Sequence, residues 1–473
     1  MSKRLIVILA LAFVVGVACY AYAEVQNVKV SGDITATGVL RNSLTLKDNE
    51  AIADYGESIS AILSQVRLRV DADLTDNVST TVRLLNERAW GDEADVGLRT
   101  SRANNTDVSL DLAYVTLKEF LYSPLTLTIG RQNLRFGNAL VIGDPDTNNI
   151  SDGHLTAALY LPNSLDDLSV RKAFDAIRAT LNYDPLVIDL VYSKIDENAV
   201  QRHDDVDLYG VNAAYAVNKN LNTELYFWQR NRDVGMAAAA LALPAKPEQL
   251  RTLGVKGMYT GIENLILSLE GAYQSGNNTT VLYTDQAAAA PANRKVDAYA
   301  IQAGGQYMMP KVKYTPTFLL AYTYLSGDKY LNSGDNFRGW DPMYEDQASG
   351  TLYSKIAAQS NSQSINLDAS IKPTDDLTAT LKYIYVKLNN PYTTAALAST
   401  TGVTLTGLAG DPTYRMRADK KYFGSEVDLV LTYDYTEDVQ FGLNTGAFIP
   451  GSAFAKVNNR TATQVIGSMK VTF

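Results

Sequence analysis

Val465-Ile466-Gly467-Ser468-Met469-Lys470-Val471-Thr472-Phe473 ends the chain, and its rhythm decides the fold. Val465, Gly467, Met469, Val471 and Phe473 are apolar or glycine, whereas Gln464, Ser468, Lys470 and Thr472 are polar. A period of two gives an extended strand one greasy and one wet face. The last residue is aromatic. Such a strand either edges a soluble sheet or pairs with the first strand and so removes the edge.

The same rhythm runs back through the chain. In Gln65–Leu74, Val66, Leu68, Val70, Ala72 and Leu74 share one face, and Arg67, Arg69, Asp71 and Asp73 share the other. A helix would scatter both sets around its circumference. Leu125/Leu127/Ile129, Leu186/Ile188/Leu190, Leu265/Leu267/Leu269 and Val427/Leu429/Leu431 repeat the stripe. Short turns rich in Asn, Asp, Gly or Pro separate many of these runs, among them Asp76-Asn77, Asp184-Pro185, Lys219-Asn220, Asp375-Asp376 and Glu437-Asp438. Tyr183, Tyr259, Tyr307 and Tyr435 lie close to such turns, where an aromatic girdle would stand.

Long polar segments alternate with the short turns, at about 42–57, 88–106, 133–170, 196–205, 231–250, 275–296, 326–360, 388–421 and 448–462. Short turns on one side and long loops on the other are the habit of outer-membrane barrels. About eight short turns, with both termini on the turn side, predict an all-β fold: a single transmembrane antiparallel β-barrel of about 18 strands. A barrel of that size encloses an aqueous channel.

Lys3 and Arg4, the apolar run Leu5–Ala18 and Ala21-Tyr22-Ala23 read as a secretory signal, giving residues 1–23 as signal peptide and 24–473 as barrel. Export to the bacterial outer membrane follows. Cys19, the one cysteine, falls inside the signal, so no disulfide staples the mature chain. The formal charge of −9 argues against a nucleic-acid partner. The expected partners are outer-membrane lipid, a small hydrophilic or polysaccharide solute, and periplasmic proteins.

Sites of chemistry are scarce. The two histidines, His154 and His203, sit on separate loop segments with no nucleophile beside them, and no Gly-rich phosphate loop precedes a helix. Neither an enzyme nor a cofactor is expected. Asp144, Asp146, Asn148 and Asp152 offer oxygen ligands at a spacing that suits calcium, without the central Gly and distant Glu of the familiar loop. A solvated acidic turn is the plainer reading.

Several stretches carry a family likeness. Leu125-Thr126-Leu127-Thr128-Ile129-Gly130-Arg131-Gln132 with Leu134-Arg135-Phe136-Gly137, Phe174-Asp175-Ala176-Ile177-Arg178, and Gly424-Ser425-Glu426-Val427-Asp428 with Phe448-Ile449-Pro450-Gly451 resemble motifs of the alginate-export porins of the outer membrane. The matches spread over most of the mature chain. The resemblance implies an 18-strand pore and, from one well-known member, a polysaccharide cargo.

An anionic cargo needs fixed positive charge in the lumen. Arg67, Arg69, Arg83, Arg131, Arg135 and Arg178 are the candidates, with Arg131, Arg135 and Arg178 expected at the constriction. The long 133–170 segment could fold inward there. Asp71, Asp73, Asp111, Asp189, Asp368, Glu426 and Asp428 face the same way, so the arginines could instead serve as struts paired across the wall. A rival function is a sheath for another protein, such as an outer-membrane cytochrome or a secretion complex; it would require a wide, unobstructed lumen.

Overall fold

A computed structural model describes residues 27–47, 58–91, 108–146, 165–197, 205–232, 247–278, 294–328, 336–357, 359–391, 414 and 416–473. The signal segment, His154, His203, Asn148 and Asp152 lie outside these residues. Eighteen strands follow one another: β1 (Asn27–Asn42), β2 (Ser58–Thr75), β3 (Val78–Ala89), β4 (Ser109–Leu117), β5 (Leu125–Asn133) and β6 (Ala173–Asn182). Next come β7 (Leu186–Asp196), β8 (Val206–Asn218), β9 (Leu221–Arg232), β10 (Glu248–Ile262), β11 (Leu265–Asn278) and β12 (Arg294–Met308). The last are β13 (Thr317–Leu325), β14 (Ser362–Thr374), β15 (Leu377–Leu388), β16 (Tyr422–Asp434), β17 (Val439–Pro450) and β18 (Ala462–Thr472).

Each strand pairs antiparallel with its sequence neighbours, and β18 returns to β1 in the register Asp33↔Thr472 to Asn42↔Thr463. The ring is therefore closed, which satisfies every edge. The final residue finishes the seam. Gly32 N–H donates to the Phe473 carbonyl at 2.8 Å, and Phe473 N–H donates back to Gly32 at 3.0 Å. A Cβ at residue 32 would stand 2.7 Å from the Phe473 ring, so glycine leaves room for the ring there.

The apolar stripes point outward. Val465 and Met469 on β18 are exposed while Gln464 is buried, and Leu267, Leu269, Leu320, Leu381 and Leu429 are exposed likewise. A soluble sandwich would hide those leucines in its centre; here the inside holds polar side chains such as Gln65, Asp189 and Gln464 together with apolar ones that inward loops cover. Tyrosines flank the stripe at both ends. Tyr183, Tyr259, Tyr307 and Tyr435 stand near the short turns. At the long-loop end, Tyr192 packs 5.3 Å from Tyr209, and Tyr299 stacks 5.3 Å from Tyr324.

Candidate functional site

Among the described residues, the loop stretches 134–146, 165–172 and 336–357 pack inside the ring. Residues 134–146 leave β5 inward. Phe136 packs 4.9 Å from the buried Trp228 ring of β9, and the tip is caught by carboxylates of the wall. Gly137 N–H donates to Glu224 at 3.0 Å, Asn138 N–H donates to Glu270 at 2.8 Å, and Lys256 Nζ donates to the Gly137 carbonyl at 2.9 Å. Residues 165–172, the return of the same loop, lie on β1–β3: Arg41 grips Asp167 with both terminal nitrogens at 2.9 and 2.5 Å, and Val170 N–H donates to Glu87 at 2.8 Å.

The third stretch, 336–357, belongs to the loop between β13 and β14 and meets the first. Tyr344 N–H donates to Val141 at 3.0 Å, Gly143 and Asp144 N–H donate to Tyr344 at 2.7 and 3.0 Å, and Asp346 N–H donates to Ala139 at 3.0 Å. Leu140, Ile142, Phe337, Trp340, Met343 and Tyr344 are buried with Trp228 and Leu250 of the wall in one apolar cluster. A second cluster joins Leu352, Tyr353 and Ile356 to Phe423, Phe448 and Phe454. Burial of this much apolar surface between the loops and apolar stretches of the inner wall fixes both loops in place.

One anchor is ionic. Arg230 of β9, only 2% exposed, donates to Glu248 of β10 at 2.7–2.9 Å and to Asp341 of the inward loop at 2.6 Å. Both carboxylates are buried as well. Charges this dry are stable only while all partners stay in place.

The sequence candidates divide. Arg67 pairs with Asp33 at 2.8 Å, Arg69 with Asp71 at 2.7 Å, Arg83 with Asp111 at 2.5 Å and Arg178 with Asp189 at 2.7 Å. All four stand on the inner face, and each has its carboxylate strut. Arg178 uses only Nε for Asp189 and lies 5.3 Å from the Phe136 ring centre, so it touches the inward loop. Its terminal nitrogens have no hydrogen-bond partner among the described residues. Arg135 enters the lumen with the inward loop and binds Asp346, and Lys172 binds the same carboxylate.

Arg131 does not belong with them. Its register neighbours are Ala113 and Asp175, on the face of the exposed Ile129 and Ile177. It bonds Asp175 outside the ring at 3.0 Å. Gly130, at φ +122°, distorts β5 just before it, but the outward parity continues. The expectation of a lumen role for Arg131 is corrected accordingly. Glu426 and Asp428 also differ from the expected struts. Glu426 accepts from the backbone N–H of Leu352 and Tyr353 at 2.8 and 2.6 Å, holding the inward loop rather than a cation. Of the calcium candidates, Asp144 accepts from Asp146 N–H at 2.9 Å, and Asp146 binds Arg171 at 2.9 Å. No cluster of three or more metal-type ligands occurs among the described residues.

Sequence reasoning missed Arg230, Asp341, Asp346 and Lys172. The inward loop 336–357 gave no periodic signal, and a charge pair between distant loops leaves none.

The family model for alginate export matches residues 35–468. The chain belongs to the alginate export family. It is an outer-membrane β-barrel channel and not an enzyme. No curated protein matches it. Among solved structures it is similar to Pseudomonas aeruginosa OpdQ, at 12% identity and TM-score 0.52, over 95% of this chain and all of that one. It is similar also to OccK2 (OpdF) from the same organism, solved in complex with glucuronate: 12% identity, TM-score 0.53, covering 95% and 99% of the two chains. OpdK with vanillate follows at 11% identity and TM-score 0.51, over 94% and 99%. These likenesses concern the barrel fold.

Proposed function

We propose that hydrophilic, anionic saccharide-type solutes pass through this channel along the side of the lumen that carries the arginines. The observation that carries the reading is the inner row Arg67, Arg69, Arg83 and Arg178, continued by Arg135 and Lys172 on the loop side. Guanidinium stays charged at any working pH and meets carboxylates in a two-pronged geometry. The paired aspartates temper the field, so the preference for anions is moderate rather than absolute. Glucuronate and vanillate, held by two structurally similar proteins, are both carboxylates, which supports the same chemistry here. Passage is passive, driven by the solute gradient.

A sheath for another protein would need an open bore, and segments 134–146 and 336–357 cross this one. Planar-bilayer recordings of the purified full chain under a salt gradient test the proposal. Anion preference in the wild type, reduced when Arg83 and Arg178 are both changed to Ala, is the expected result. Absence of channels, or a cation preference that the double variant leaves untouched, would overturn it.

A further inference from the structure

Asp346 differs from Glu248, whose two oxygens hold Arg230 and Arg232 in a buried site, in the exposure of its cations. It takes one cation on each oxygen: Arg135 NH1 binds Oδ2, and Lys172 Nζ binds Oδ1. The two cations come from opposite ends of one long loop, Arg135 just after β5 and Lys172 just before β6. Neither has a second ion pair among the described residues, although Glu345 lies close enough to Lys172 to feel its charge. Both are wet, at 56% and 39% exposed, whereas Arg230 in its buried triad is 2% exposed. A wet ion pair is held weakly and exchanges easily. The backbone of Asp346 is secured separately, through its N–H on Ala139, so its side chain can swing away while the loop junction stays closed.

Resting on the reading above, we propose that Asp346 is a resident stand-in for the solute: its carboxylate occupies a two-cation seat that a single carboxylate of a monomeric uronate takes over in transit. The loops set the size of the cargo. Four backbone hydrogen bonds join residues 139–144 to 344–346, and Gln347 Nε2 adds one to the Asn138 carbonyl at 2.9 Å. On this proposal a polyuronate chain meets that bridge, whereas one sugar acid competes with Asp346 alone. The seat therefore selects one-carboxylate sugars over their polymers, although the family is described by a polymer.

The test uses the full-length protein in planar bilayers, with glucuronate, glucose and a uronate hexamer as probes. Glucuronate is expected to interrupt the ion current at low millimolar concentration, and glucose to do so far less. Asp346→Asn keeps the shape, removes the competing charge and should tighten glucuronate block about tenfold; Arg135→Gln with Lys172→Gln should abolish it. Asp341→Asn loosens the same loop without touching the seat, so an equal tightening there would overturn the proposal. So would an Asp346→Asn channel with unchanged or weaker block, or a hexamer that permeates liposomes as fast as the monomer. Folding of each variant is checked by the faster gel migration of an unheated barrel. A wild-type channel without anion preference would instead sink the broader reading, and the two failures are separable.

Discussion

Asp341 and Asp346 belong to the same inward loop, yet they hold opposite kinds of ion cluster. Asp341 is sealed against Arg230 and Glu248, every member buried. Asp346 holds two cations that water reaches. The first cluster lies inside the apolar packing of Trp228, Leu250, Trp340 and Tyr344. The second joins the loop ends beside β5 and β6, the strand of Arg178, whose guanidinium lies 5.3 Å from the Phe136 ring. One loop thus has a structural foot and a working edge. Burial decides which is which: a dry triad cannot lose a member cheaply, while a wet pair trades partners at little cost.

Breaking the foot should give the largest effect. Asp341→Ala leaves Arg230 buried with one carboxylate partner fewer, and removing one member of such a cluster costs about 3–5 kcal/mol. The ring itself is untouched. The barrel should still fold, as read by gel migration, while single-channel conductance rises and becomes noisy. A quiet channel of unchanged conductance would contradict the assignment of Asp341 as anchor. Trp228→Ala attacks the same region by packing alone. Deleting a fully buried aromatic costs about 3–5 kcal/mol, at the lower end where neighbours collapse into the space. The denaturant midpoint of the refolded barrel should fall, with ion preference conserved.

On the working edge the sign of the comparison reverses. Arg178→Ala removes a pair that is part-exposed at the arginine but buried at Asp189, which keeps Thr180 as a donor, so stability should fall by about 1–3 kcal/mol, less than at the foot. Its effect belongs to permeation: the reversal potential under a salt gradient should move toward cation preference. A large loss of stability with unaltered reversal potential would place Arg178 with the foot.

Between the two carboxylates sits Glu345. Burial pushes its carboxyl up to about 8, with Asp346 and Asp144 acting in the same direction and the Gln347 amide and Lys172 opposing. A raised value means that the packed loop binds the proton more tightly than the released loop does. Proton binding therefore favours packing, which weakens as pH climbs from the ordinary carboxylate range to about 8 and is level above that. Open-channel noise should increase over that window and stay flat beyond it. Glu345→Gln should remove the dependence; a dependence that persists would assign it to another group.

Much of this was legible beforehand, and the boundary has a physical cause. Lipid outside and water inside force a two-residue alternation, so strand number, closure and the inward parity of Arg67, Arg69, Arg83 and Arg178 could be read from Gln65–Leu74 and its like. The struts were also foreseeable as one of two readings, since Asp71, Asp111 and Asp189 share the inner face. The anchors were not. Asp341 meets Arg230 across 111 positions of chain, and Arg135 meets Asp346 across 211. Such pairs depend on how two aperiodic loops cross a lumen, and no local pattern encodes that crossing. Glu426 shows the same limit: its inward parity was right, but its partner proved to be the loop backbone at Leu352 and Tyr353.

Arg131 offers the smallest expected effect and the sharpest control. It has the same charge as Arg178 and sits on the neighbouring strand, but it lies on the other side of the wall, bonded to Asp175. Ions in the lumen are separated from it by the sheet and by the residues of the inner face. Screening at physiological salt, with a Debye length of about 8 Å, weakens what field remains. Arg131→Ala should thus leave conductance and reversal potential unchanged, while Arg178→Ala shifts the latter. Equal shifts from both would mean that bulk charge sets the preference, and the distinction between an inner row and an outer one would lose its meaning for transport. A shift from Arg178 alone ties ion choice to the face on which a guanidinium stands, a property that strand parity fixes one residue at a time.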